Sequence, residues 1–159
     1  MDKLWAPWRA EYIETIDQTP DTCIFCDKPR ENKDRDNLIL ARSSHCFVIM
    51  NRFPYNNGHL LIVPFAHKDD VCGLENNAYQ NLWETVRTCK KALNATLSPQ
   101  GFNIGMNLGR VSGAGIDQHC HVHIVPRWNG DTNFMPVIGQ TKVLSEGLFA
   151  TYDKLKPAF

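Results

Sequence analysis

The sequence predicts an α+β fold: a mainly antiparallel sheet of about five strands, one long helix packed on it and a short C-terminal helix. Short apolar runs give the first observation. Leu38-Ile39-Leu40, Cys46-Phe47-Val48-Ile49-Met50 and His59-Leu60-Leu61-Ile62-Val63-Pro64 are separated by turn formers such as Arg42-Ser43-Ser44 and Asn57-Gly58. From Leu74 to about Leu93 the apolar period changes to that of a helix. Strand-like alternation then returns in Gly101–Gly109 and again in His119–Arg127.

Residues 1–22 hold Trp5, Trp8, Tyr12 and Ile13 among charges, which predicts an N-terminal arm packed by its aromatics, against a second subunit. Cys23-Ile24-Phe25-Cys26 follows. Two thiolates so spaced in a tight turn can hold one side of a tetrahedral zinc site; a redox dithiol and two unrelated buried cysteines are the alternatives. Asp27–Asp34 reads as surface loop rather than the helix a redox motif needs, which favours the metal. The helix presents Leu74, Ala78, Leu82, Val86 and Leu93, with Trp83 and Cys89, as a core stripe; Asn94, Thr96, Ser98 and Pro99 stop it. Gly101–Gly109 keeps small and amide residues on one face, where a ligand or backbone can come close. Glu146 to Leu155 is the expected terminal helix, and the whole of 1–159 is read as a single domain.

Basic and acidic side chains number 17 each and the net charge is +0, so bulk charge argues for neither a nucleic-acid nor an anionic-membrane partner. With no apolar run of membrane-spanning length and no signal-peptide segment, the expectation is a cytoplasmic protein. In that setting its 6 cysteines are more readily metal ligands or buried thiols than disulfides.

His119-Cys120-His121-Val122-His123-Ile124-Val125-Pro126-Arg127 concentrates half of the chain's 6 histidines in five positions. Strand alternation puts His119, His121 and His123 on one face and turns Cys120, Val122 and Ile124 into the core, with Pro126 ending the strand. Imidazole is a competent nucleophile near neutral pH, and on phosphorus it gives a phosphoramidate that splits one displacement into two. The preceding turn, Arg110-Val111-Ser112-Gly113-Ala114-Gly115, offers backbone donors for phosphoryl oxygens. These residues alone support phosphorus chemistry or metal binding without choosing between them.

The run from His119 to Val125 resembles the signature of the histidine-triad (HIT) family, nucleotide hydrolases and transferases whose motif is His-apolar-His-apolar-His-apolar-apolar. The likeness takes in Cys23–Cys26, Gly58-His59, His67 beyond Val63-Pro64, and Asn107–Gly109. It implies a HIT-like fold and a homodimer, which the arm can extend to a larger homo-oligomer. It also implies catalytic roles: His121 as the nucleophile on the α-phosphorus, His123 beside the phosphoryl group, and His119 orienting the catalytic ring or ligating zinc. Zinc-bearing members make Cys23, Cys26, His67 and His119 the implied ligand set. Asn51 matches a ribose-binding position and Asn107 an asparagine that helps place backbone or phosphate. The resemblance gives His59 no catalytic role. Members with a Gly-Gln-Ser/Thr run before the triad use its hydroxyl on phosphate; here Gly115-Ile116-Asp117-Gln118 lacks it, leaving Gln118 and Ser112 as substitutes. The retained third histidine separates the chain from the galactose-1-phosphate uridylyltransferase branch.

The Leu4–Arg9 arm and the Arg127–Pro136 segment resemble a bacterial subgroup of diadenosine tetraphosphate phosphorylases or hydrolases. The implied reaction is cleavage of a dinucleoside polyphosphate through nucleotidyl-His121, resolved by inorganic phosphate as co-substrate (ADP and ATP) or by water (AMP and ATP). An adenosine phosphoramidase and a non-catalytic, zinc-stabilised nucleotide-binding protein are the alternatives.

Overall fold

The computed structural model of the chain describes residues 22–134, 138 and 144–159. All but the last residue of the expected arm lies outside them, as do 135–137 and 139–143. The architecture is the expected one: a five-stranded antiparallel sheet, one long helix and a short helix near the C-terminus.

In chain order the elements are α1 (Ile24–Asp27), β1 (Ile39–Arg42), β2 (Cys46–Met50), β3 (Leu60–Pro64), α2 (Asn76–Leu97), β4 (Gly101–Gly105), β5 (Val122–Arg127) and α3 (Leu148–Leu155). The strands lie in the order β1-β2-β3-β5-β4. Residues directly opposite on neighbouring strands share a face. Val48 with Ile62, and Leu60 with Ile124, therefore look one way, while Phe47 with Val63, and Leu61 with His123, look the other. The first face carries α2, whose Ala78, Leu82, Val86, Cys89 and Leu93 are buried. At this interface Asn81 and Thr85 meet Cys46 and Ser43 of the β1–β2 turn through hydrogen bonds. The opposite face carries the histidines.

Several local expectations are corrected. Trp83 is 37% exposed and lies outside the core stripe, in edge-to-face contact with exposed Tyr79. The helix runs past Leu93 to Leu97, because Leu97 still packs on the core; it stops where Ser98 takes a left-handed conformation (φ 47°) ahead of Pro99. Asp27–Asp34 is not plain loop, since Lys28–Arg30 forms a 3-10 turn with Pro29 buried. The terminal helix begins at Leu148 rather than Glu146. Pro126 lies inside β5, opposite Phe102, at a point where β3 no longer accompanies the strand; its carbonyl accepts from the Asn56 amide (3.0 Å). No ladder donor is required of it there.

The two sheet edges differ. At β1 the Tyr152 hydroxyl donates to the Ile39 carbonyl (3.0 Å) and the Lys156 ammonium to that of Leu40 (2.7 Å), so the C-terminal segment covers that edge. At β4, Asn103, Ile104 and Gly105 are exposed. Gly58 (φ +72°) closes the turn into β3 against the end of α2, where an added Cβ would come within 2.6 Å of Leu97. Among the described residues no helix is long and apolar enough to cross a membrane.

Candidate functional site

The three triad histidines do not form one ladder. Only His123 lies within β5, which starts at Val122; His119 and His121 precede it, outside the strand, in chain tied to the loop after β3 by the Cys120 N–H donating to the Lys68 carbonyl (2.6 Å). The His121 and His123 rings are neighbours (centroids 4.9 Å), whereas the Phe25 ring stands between those of His119 (5.6 Å) and His121 (5.0 Å). Cys120 is buried as expected.

Backbone partners fix the tautomers, since a carbonyl can only accept and an amide N–H only donate. His121 Nδ1–H donates to the His119 carbonyl (2.8 Å), leaving the Nε2 lone pair as its reactive position. His119 Nε2–H donates to the Pro64 carbonyl (2.8 Å), leaving its Nδ1 as a lone pair. For His123 the fixing group lies further back. The Tyr55 N–H donates to His59 Nδ1 (3.1 Å), so neutral His59 carries its proton on Nε2 and donates it to His123 Nδ1 (2.9 Å). His123 then keeps its proton on Nε2. Thus a ring whose Nε2 is a lone pair stands beside a ring whose proton is on Nε2. Burial pushes the His121 ring below the ordinary histidine range, against the opposing effect of its carbonyl bond, and so keeps it neutral.

His59, read from the sequence as structural, is therefore part of the site, fully buried and bonded to a triad ring. Asn51 lies behind it. Its Oδ1 accepts from the Phe53 N–H (2.9 Å), which turns Nδ2 toward His59 Nδ1 (3.3 Å). Beside His123 on the same face, β4 presents Gly105, where a Cβ would meet nothing within 4 Å; the small-residue face of that strand leaves open space at the triad. Phe47 and Ile49 are buried in the core, and Phe47 stacks on Phe65 (5.5 Å).

The loop residues are less tightly engaged. Gln118 is exposed and lines an open cleft of about 650 Å³ with Asp117, His67, Lys68, Asp69 and Asp70. Ser112 is exposed, its hydroxyl donating to the Gly109 carbonyl (2.7 Å) within its own turn. Gly115 and Asn107 are half-buried.

Cys23, Cys26, His67 and His119 come together from three parts of the chain, with one ligand atom of each within 4.8 Å of all the others. His119 Nδ1 lies 3.3 Å from Cys23 Sγ and 3.7 Å from Cys26 Sγ, and His67 Nδ1 lies 3.3 Å from Cys26 Sγ. Tetrahedral bonds of ordinary zinc–sulfur and zinc–nitrogen length separate S and N by about 3.5 Å, so these three separations and the donor types suit such an ion. Burial, and then the neighbouring Cys23 sulfur, push the Cys26 thiol up to about 11; a cation reverses that balance. The Pro64 carbonyl holding His119 Nε2–H is the partner a metal-ligating imidazole needs on its far side.

The HIT domain family matches residues 32–130. A diadenosine tetraphosphate (AP-4-A) phosphorylase of Mycobacterium tuberculosis is 31% identical over 152 residues, spanning 92% of this chain and 78% of that protein. The chain belongs to the HIT family. A HIT-like protein of Saccharolobus solfataricus is 29% identical over 71% of this chain and 79% of its own. Among solved structures, a zinc-bound histidine-triad protein of Mycobacterium smegmatis superposes with a TM-score of 0.70 at 21% identity, covering 86% of this HIT protein and 92% of that chain. A HIT protein of Bacillus anthracis gives a TM-score of 0.60 at 28% identity over 70% and 77% of the two chains. The match places this HIT protein among nucleotide-processing enzymes.

Proposed function

We propose that the protein cleaves diadenosine tetraphosphate by nucleotidyl transfer through His121. The observation that carries the reading is the paired state of the two rings: an Nε2 lone pair on buried, neutral His121, and an N–H on His123. The Nε2 lone pair forms a bond to the α-phosphorus as the bond to the bridging oxygen breaks, and ATP leaves with that electron pair. His123 Nε2–H donates to a phosphoryl oxygen on which charge develops. In the second displacement an acceptor oxygen bonds phosphorus and the P–N electrons return to His121. Inorganic phosphate as acceptor gives ADP; water gives AMP.

Similarity to the mycobacterial phosphorylase along nearly the whole chain supports phosphate as the acceptor. The donor chemistry and spacing of Cys23, Cys26, His67 and His119 support zinc as the ion of the second cluster, where it fixes loop and triad without entering the reaction. Exposure of the β4 edge, while β1 is covered, supports a homodimer formed there.

Incubating the protein with diadenosine tetraphosphate, with and without phosphate, tests the reading. ADP and ATP in equal amounts, formed only when phosphate is present, are expected. AMP in both samples replaces phosphorolysis by hydrolysis, and no cleavage in either rejects the reaction.

A further inference from the structure

α1 is a single helical turn of four residues, Ile24–Asp27, far below the length at which a helix holds itself together. Two side chains flank its centre, Cys23 and Cys26, and both belong to the Cys/His cluster. Of the four residues only Phe25 is buried, 3% exposed, and its ring lies on those of His119 and His121. The hydrogen bond from His121 Nδ1 to the His119 carbonyl fixes the tautomer and rotation of the catalytic imidazole, and a ring flip breaks it. The phenyl wall on one side and His123 on the other oppose that flip.

The geometry points to Phe25 as a positioning residue that ties the Cys/His cluster to the attacking ring: with the cluster closed around a metal ion, α1 is pinned on both sides of Phe25 and the phenyl ring holds His121 Nε2 toward substrate. His119 supplies a second link, because the residue whose Nδ1 joins the cluster also provides the carbonyl that accepts from His121. Loss of the ion frees α1, withdraws the wall and lets the two His121 tautomers mix. This rests on the reading of His121 as nucleophile, but its effect on the ring is observable without turnover.

The test uses full-length protein with ¹⁵N-labelled histidine, at a pH where the rings are neutral. Long-range ¹H–¹⁵N spectra are recorded with metal bound and after chelation, for wild type, Phe25→Ala and Phe25→Leu. Expected for loaded wild type is a single Nδ1–H tautomer at His121, and a mixture after chelation. Loaded Phe25→Ala should keep about one metal ion per chain yet show the mixture, with kcat down about 10- to 100-fold and KM little changed. Phe25→Leu, which restores bulk, should recover most of both; if Phe25→Ala does not fold, Phe25→Leu against wild type is the comparison, and a shift of the His121 signals is expected. Unchanged His121 signals in the chelated protein and in the folded, loaded variants overturn the coupling. Should the tautomer respond to metal and to Phe25 while no nucleotide is cleaved, the coupling stands and the proposed reaction falls.

Discussion

At Tyr55 a backbone N–H points at a ring nitrogen of His59, and that donor decides where two ring protons sit, one on His59 Nε2 and one on His123 Nε2. Without His59, His123 Nδ1 can hold the proton itself, and the Nε2–H that we propose donates to a phosphoryl oxygen is lost from part of the population. His59→Ala is therefore expected to lower kcat/KM by about 10- to 100-fold, while His59→Gln, which retains a donor on its side chain, loses less. Steady-state rates of the two variants check this; equal rates for His59→Ala and wild type would remove His59 from the site. The sequence hid this role because it exists only across strands: His59 and His123 are 64 residues apart and meet only in the folded sheet. The Cys23–Cys26 pair and the triad were legible because their chemistry sits in short runs. That Asn51 lies behind His59 was no more visible, being set by a turn that aims its amide at a ring.

Among the elements, the segment after β5 is held by one carboxylate. Asp131 Oδ2 accepts from Arg127 Nε (2.7 Å), Asn56 Nδ2 (2.8 Å) and the Trp128 N–H (3.1 Å), and Oδ1 from Arg127 Nη2 (2.8 Å) and the Thr132 hydroxyl (3.1 Å). The Arg127 guanidinium first, and these other donors, hold its carboxyl well below the usual carboxylate range. A depressed folded-state value means that the stabilisation is complete above the unfolded value near pH ~4 and is lost as the pH falls below it. Asp131→Asn should cost about 1–2 kcal/mol near neutral pH, the half-exposed Arg127 limiting the loss. Its stability should also fall less steeply than that of wild type in acid. Thermal unfolding of both proteins across the acid range checks this; parallel curves would contradict it. Sequence periodicity located β5 but misjudged Pro126, because the rule against proline in a strand fails where the neighbouring strand has already ended. It likewise closed α2 at a polar run that Leu97 carries the helix past.

For the molecule as a whole, one sheet face is committed to α2 and the other to the histidines, so association is left to the edges. With β1 covered by the C-terminal segment, β4 is the exposed edge among the described residues, and it is there that we propose a second copy pairs. Light scattering is expected to give a homodimer, and Ile104→Lys, which places a charge on that exposed strand, to shift it toward monomer. A wild-type monomer at working concentrations would contradict the β4 interface. The fold class was readable because each face of each strand leaves an apolar period. The edge proposed for a second copy was not, since nothing in one chain's pattern records its copy. The central claim concerns His121 Nε2, and rapid mixing with adenine-labelled diadenosine tetraphosphate followed by alkaline quench tests it most directly. An adenylyl group on the peptide containing His121, formed and consumed at rates that match turnover and absent in His121→Ala, is the result predicted. Full turnover by His121→Ala, or label on a different residue, would contradict it.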